Sequence, residues 1–149
     1  MIAIDTNLLV YAHRRGLAEH RAAQRAIQRA SDDARGWGIS VQSIAEFWSV
    51  VTHPSSIGGP SSLDGARAFL VSLRERAGMQ VWSPGAGFDD RLLQLATDLA
   101  VAGPRVFDLQ IALTAFAHGA AELWTHDLGF VKVPGLRLVH PLLGKKPAR

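Results

Sequence analysis

The feature that most constrains this chain is the alternation of short apolar runs with longer stretches of helical period. Residues 1–4, 36–41, 79–82, 122–125 and 136–139 read as strands. Between them lie helical stretches. One starts at Thr6 and ends at Gly16, and residues 18–30 follow with Arg21, Arg25 and Arg29 spaced four apart. The next starts at Ser40 or Ser43 and stops at His53 before Pro54. Residues 63–77, 88–102 and 108–118 complete the set. Strands that alternate with helices pair in parallel, so the fold class is α/β. The Ser/Gly/Pro stretch 55–62 reads as the most flexible loop. No repeat or second domain is visible, so residues 1–143 form one domain and 144–149 a basic tail.

Composition narrows the chemistry. The chain has no cysteine, which excludes disulfides, iron–sulfur clusters and thiolate zinc sites. No apolar leader precedes Asp5, and the longest strongly apolar run without charge, residues 109–121, is shorter than the roughly 18 residues a membrane span needs. A cytoplasmic protein is expected. Sixteen basic residues outnumber thirteen acids, a mild excess that suits a polyanionic partner.

In parallel sheets, functional groups gather at the carboxyl ends of strands, where the strand order reverses. That rule selects Asp5 and Asp127, each close behind a strand. Glu46, early in the helix after the second strand, and Asp108, at the start of an almost wholly apolar helix, stand within reach. Taken singly, the three aspartates could cap helices, and Glu46 could be a solvated helix residue at the border of the Phe47/Val50/Val51 face. Taken together, converging carboxylates repel, and a divalent cation removes that cost. All-oxygen donors favour a hard ion, Mg²⁺ or Mn²⁺. Such an ion assists phosphodiester hydrolysis.

The residues around these acids resemble the PIN-domain ribonucleases, and within them the toxins of bacterial toxin–antitoxin pairs. Four segments carry the resemblance in the family's order: IDTNLLVY at 4–11, ISVQSIAEFWSVV at 39–51, FDLQIALTAFAHG at 107–119 and ELWTHDLGF at 122–130. It spans nearly the whole chain, although residues 53–88 carry no usable signature. It implies an α/β/α sandwich around a five-stranded parallel sheet of order 3-2-1-4-5. Asp5, Glu46, Asp108 and Asp127 would then be the catalytic acids and hold Mg²⁺ or Mn²⁺. Thr6 and Asn7 would buttress Asp5, and Thr125 would orient Asp127 or a bound water. An additional acid found in some relatives is replaced here by Arg105. The resemblance also implies an endoribonuclease acting on a structured RNA such as a tRNA, a small antitoxin partner, and homodimerisation through the early helices.

Arg14, Arg15 and Arg105 are the candidate RNA contacts, against an ordinary solvated basic surface. Trp37, Trp48, Trp82 and Trp124 read as core, and His126 should point away from its neighbours Thr125 and Asp127. Leu9, Leu17 and Ile27 are either core or dimer contacts. Two other readings compete. A haloacid-dehalogenase-like phosphatase needs a second Asp two residues after the first, where Asn7 stands, and a receiver domain needs paired acids at the first strand, where Asp5 is alone. A scaffold that binds RNA or protein without cutting would have lost an acid, and all four are present.

Overall fold

The computed structural model describes residues 1–144; the basic tail beyond Gly144 lies outside the described residues. Five strands, β1 (Ile2–Ile4), β2 (Trp37–Ser40), β3 (Gln80–Trp82), β4 (Glu122–Trp124) and β5 (Arg137–Val139), form one sheet. Every pairing is parallel, and the order is β3-β2-β1-β4-β5. The helices are α1 (Thr6–His13), α2 (His20–Ser31), α3 (Val41–Thr52), α4 (Leu63–Arg76), α5 (Phe88–Asp98) and α6 (Arg105–Ala117).

Strand alternation sorts the core into two layers. Ile2 and Ile4 of β1 face one side, where they pack with Leu8, Leu9, Ile27, Phe47 and Val51 from α1, α2 and α3. Ala3 faces the other side with Leu123 of β4 and with Leu109, Ile111, Ala112 and Leu113 of α6. Helix α6 is apolar nearly all round because it is sandwiched between the sheet and α5. The sheet therefore has helices on both faces, the α/β/α sandwich expected. Among the described residues, no helix is long and apolar enough to cross a membrane.

Gly38 is the residue that lets β2 and β3 fit. A methyl group there would lie 2.7 Å from both the Gln80 carbonyl oxygen and the Trp82 ring. Trp82 thus occupies the volume that a side chain at position 38 would need.

Two helix bounds expected from the sequence are corrected, and one loop shows contacts its composition did not reveal. Helix α6 starts at Arg105, so Asp108 sits in the first turn and does not cap; Pro104 takes the cap position without a side-chain bond. Helix α5 ends at Asp98, where the chain turns into a left-handed residue at Ala100. The 55–62 loop is anchored: Arg14 donates to the Gly59 and Val51 carbonyls at 2.6 and 2.9 Å, and His13 pairs with Ser61 at 2.9 Å. Trp37, Trp82 and Trp124 are buried and Trp48 partly so; Leu9 and Ile27 belong to the protomer's own core.

Candidate active site

Strands β1 and β4 are neighbours, yet the chain leaves them toward opposite edges of the sheet. A crevice opens at their carboxyl ends for that reason. The β1–β4 ladder continues one step past the strands, with the Asp5 amide donating to the Trp124 carbonyl at 2.9 Å. It delivers Asp5 and Thr125 to the same point.

Asp5 is held on every side. Its Oδ1 accepts from the Thr6 amide at 2.7 Å, and its Oδ2 accepts from Asn7 Nδ2 at 3.0 Å and Thr125 Oγ1 at 2.6 Å. It also caps α1, so the capping and site readings describe one residue. Thr125 has no hydrogen-bonding capacity left over. Its hydroxyl donates to Asp5 and accepts from Asn7 Nδ2 at 3.1 Å and from the Asp127 amide at 3.0 Å. Thr125 therefore orients Asp5 and the backbone at Asp127, not the Asp127 carboxylate. That carboxylate accepts instead from the Gly129 amide at 2.7 Å, closing a tight turn. The Thr6 hydroxyl donates to Glu46 Oε2 at 2.9 Å, so Thr6 serves two acids, one through its amide and one through its side chain. Asn7 Oδ1 accepts from the His126 amide at 3.2 Å and ties α1 to the segment after β4.

Asp5, Glu46, Asp108 and Asp127 line one cleft of about 420 Å³, with Thr6 and Asn7. Four separate elements contribute them. Among the described residues, no three His or acid side chains are gathered tightly enough to cage a cation. The four carboxylates instead stand around an open cleft. Their mutual field is nonetheless felt. Burial pushes the Asp5 carboxyl up to about 6, and Asp108 and Glu46 push the same way against the hydrogen bonds from Thr125 and Thr6. Asp108 is raised by burial and then by Asp127 and Glu46. An acidic cluster made of oxygen donors alone, with its charges mutually unfavourable, has the chemistry that a hard divalent cation relieves.

This leaves a thermodynamic signature. The Asp5 carboxyl stands near 3.8 before burial and about 6 in the fold. Between those values the folded state binds more protons than the unfolded state, so stability falls as pH rises through the window. The penalty is complete above it, at roughly 3 kcal/mol. Urea unfolding from pH 4 to 7.5 in EDTA is expected to show wild type losing stability relative to Asp5→Asn by about that amount. Parallel curves would contradict the burial cost.

His126 does not line the cleft; its ring lies edge-on to Tyr11, which does, with centroids 5.6 Å apart. Arg15 and Arg105 are exposed, whereas Arg14 is committed to the 55–62 loop. Sequence reasoning missed Val10, Tyr11 and Val50, which complete the wall of the cleft. Helical period held the signal: Val10 and Tyr11 lie three and four residues after Asn7, and Val50 lies four after Glu46.

A family model described as the PIN domain matches residues 2–136. The chain belongs to the PIN-domain family. This PIN domain is 31% identical to the VapC ribonuclease Mb2897 of Mycobacterium bovis, over 97% of this chain and 98% of the relative. It is 25% identical to ribonuclease VapC48 of Mycobacterium tuberculosis, over 94% and 97% of the two chains. Among solved structures, the fold is shared with VapBC2 from Rickettsia felis bound to a promoter DNA fragment. That match has a TM-score of 0.65 and 21% identity over 93% of this chain and 98% of that one. It is also shared with the sarcin–ricin-loop-cleaving toxin VapC20 of Mycobacterium tuberculosis, with a TM-score of 0.65 and 17% identity over 89% and 98%.

Proposed function

We propose that this PIN domain is the endoribonuclease toxin of a toxin–antitoxin pair. It hydrolyses phosphodiester bonds in a structured RNA, such as a tRNA, with Mg²⁺ or Mn²⁺. A small cognate antitoxin holds it silent, and the active form is a homodimer. The observation that carries the reading is the convergence of Asp5, Glu46, Asp108 and Asp127 in one cleft at the β1–β4 switch point. The relatives named as ribonucleases support it.

Asp5, Asp108, Asp127 and Glu46 would hold the cation, and residues 1–143 would form the PIN domain that carries them. When bound, the cation would polarise the scissile phosphate and lower the pKa of a water ligand. The chain's own contribution is geometry. Thr6, Asn7 and Thr125 hold the Asp5 carboxylate in one orientation before any ligand arrives, and Thr6 does the same for Glu46. No histidine acts as base, since none is among the residues that line the cleft. Arg15 and Arg105 face solvent and would meet RNA phosphates; Arg14 acts mainly by fixing the loop beside the cleft.

Purified protein, freed of antitoxin, is expected to cut a tRNA in Mg²⁺ or Mn²⁺ and to stop in EDTA. Growth arrest on expression should be relieved by co-expressing the short reading frame upstream. Cutting that persists in EDTA, measured by gel on end-labelled RNA, would contradict the mechanism.

A further inference from the structure

A second cleft, of about 300 Å³, opens next to the acidic one, on the other side of the turn at residues 127–131. Its chemistry is double. Leu99, Val101 and Leu128 supply aliphatic surface, and Arg105 and Lys132 supply positive charge, with no acid among the lining residues. Leu128 is 69% exposed, although it directly follows Asp127. With Leu99 and Val101 it gives the cleft a continuous aliphatic side facing its two cations.

The two clefts share a wall. The Gly129 amide donates to Asp127 Oδ1 at 2.7 Å, while the Gly129 carbonyl accepts from Arg105 Nη2 at 3.1 Å. The Val131 backbone, on the same turn, lowers the Asp108 carboxyl against its burial. An occupant of the second cleft therefore lies one short turn from Asp127. A nucleotide has the matching duality, a base with an apolar face and a phosphate with negative charge. The larger groove of about 430 Å³ beyond Val10 and Val50 lacks this match, because its one guanidinium, Arg14, already donates to two carbonyls.

We propose that this cleft is a nucleotide subsite of the RNA substrate. The base of a nucleotide flanking the scissile bond rests on Leu128, and a neighbouring phosphate is held by Arg105 and Lys132. The assignment rests on the ribonuclease reading, and it specifies where the strand runs: over the turn at residues 127–131 toward the N-terminus of α6. Leu128 and Lys132 are thus positioning residues, since neither reaches the acids.

Steady-state cleavage of a short fluorogenic oligoribonucleotide tests it. Lys132→Glu and Leu128→Ser should each raise KM about tenfold with kcat within twofold of wild type. Lys132→Glu should also reduce the slope of log binding against log salt by about one. Arg76→Glu, the same charge change on exposed α4, should leave KM within twofold. An oligonucleotide abasic at the flanking position should abolish the Leu128→Ser effect and keep the Lys132→Glu effect. If wild type cuts while Leu128→Ser keeps its KM, or while Arg76→Glu matches Lys132→Glu, the subsite is wrong and the ribonuclease reading stands. If wild type cuts neither the oligonucleotide nor a tRNA in Mg²⁺ or Mn²⁺, both are wrong.

Discussion

Asp5→Asn is expected to lower RNA cleavage by about a thousandfold or more while leaving the protein folded. The size follows from removing one charged donor from the proposed cation site, whose electrostatic assistance would amount to several kcal/mol. The fold should survive because asparagine is isosteric. Its carbonyl oxygen can take the Oδ2 place, where it still accepts from Asn7 Nδ2 and from the Thr125 hydroxyl. One contact is lost, since the Thr6 amide then meets the asparagine's NH2, a second donor. That loss is set against relief of the burial cost that lifts the Asp5 carboxyl to about 6. Activity and stability should therefore separate: the midpoint of unfolding at pH 7.5 in EDTA holds or rises, while cleavage in Mg²⁺ or Mn²⁺ disappears. Single-turnover kinetics on end-labelled RNA reads the first quantity and urea unfolding the second. A variant that still cuts would remove Asp5 from the mechanism. A variant that unfolds would show that its hydrogen bonds outweigh its desolvation.

Phe47→Ala is expected to destabilise the domain by about 3–5 kcal/mol, a large share of the 5–15 kcal/mol typical of such domains. Phe47 is wholly buried, stacked on Phe69 at 5.4 Å and edge-on to His13 at 5.4 Å. It is one of the α3 side chains that pack against α1 and α4, and it directly follows Glu46. Its loss leaves a cavity too well walled to close. Urea unfolding should show a lowered midpoint with an unchanged slope. Near the midpoint, cleavage should fall with the folded fraction, unlike the loss in Asp5→Asn, which occurs in folded protein. A change below 1 kcal/mol would mean that α3 can repack, and that Glu46 is held chiefly by its bond from Thr6.

Much of the architecture was legible in advance because strands and helices carry different periods. The apolar run ending at Asp5, the all-round apolar α6 and the cap at Ser40 are local signals, and the structure keeps each of them. Boundaries were less legible. Pro104 at the cap of α6 satisfies no amide with a side chain, so nothing in the local sequence marks the extra turn from Arg105. The 55–62 loop reads as flexible from its Ser, Gly and Pro content, yet Arg14 and His13 anchor it from another helix. Such contacts between distant residues leave no periodic trace.

The sequence by itself determined the fold class and the oxygen-only donor chemistry, because hydrophobic period and residue type are properties of the chain. Only the tertiary structure decided which acids share a cleft and what each neighbour does for them. Glu46 looks solvated on its own helix and becomes part of the site only through Thr6 of α1. Thr125 reads as a partner of Asp127 two residues away, and its hydroxyl proton goes instead to Asp5 across the β1–β4 ladder. The physical reason is the same in both cases. Hydrogen bonds and desolvation act through space, and a parallel sheet brings together strand ends that lie about 120 residues apart in the chain.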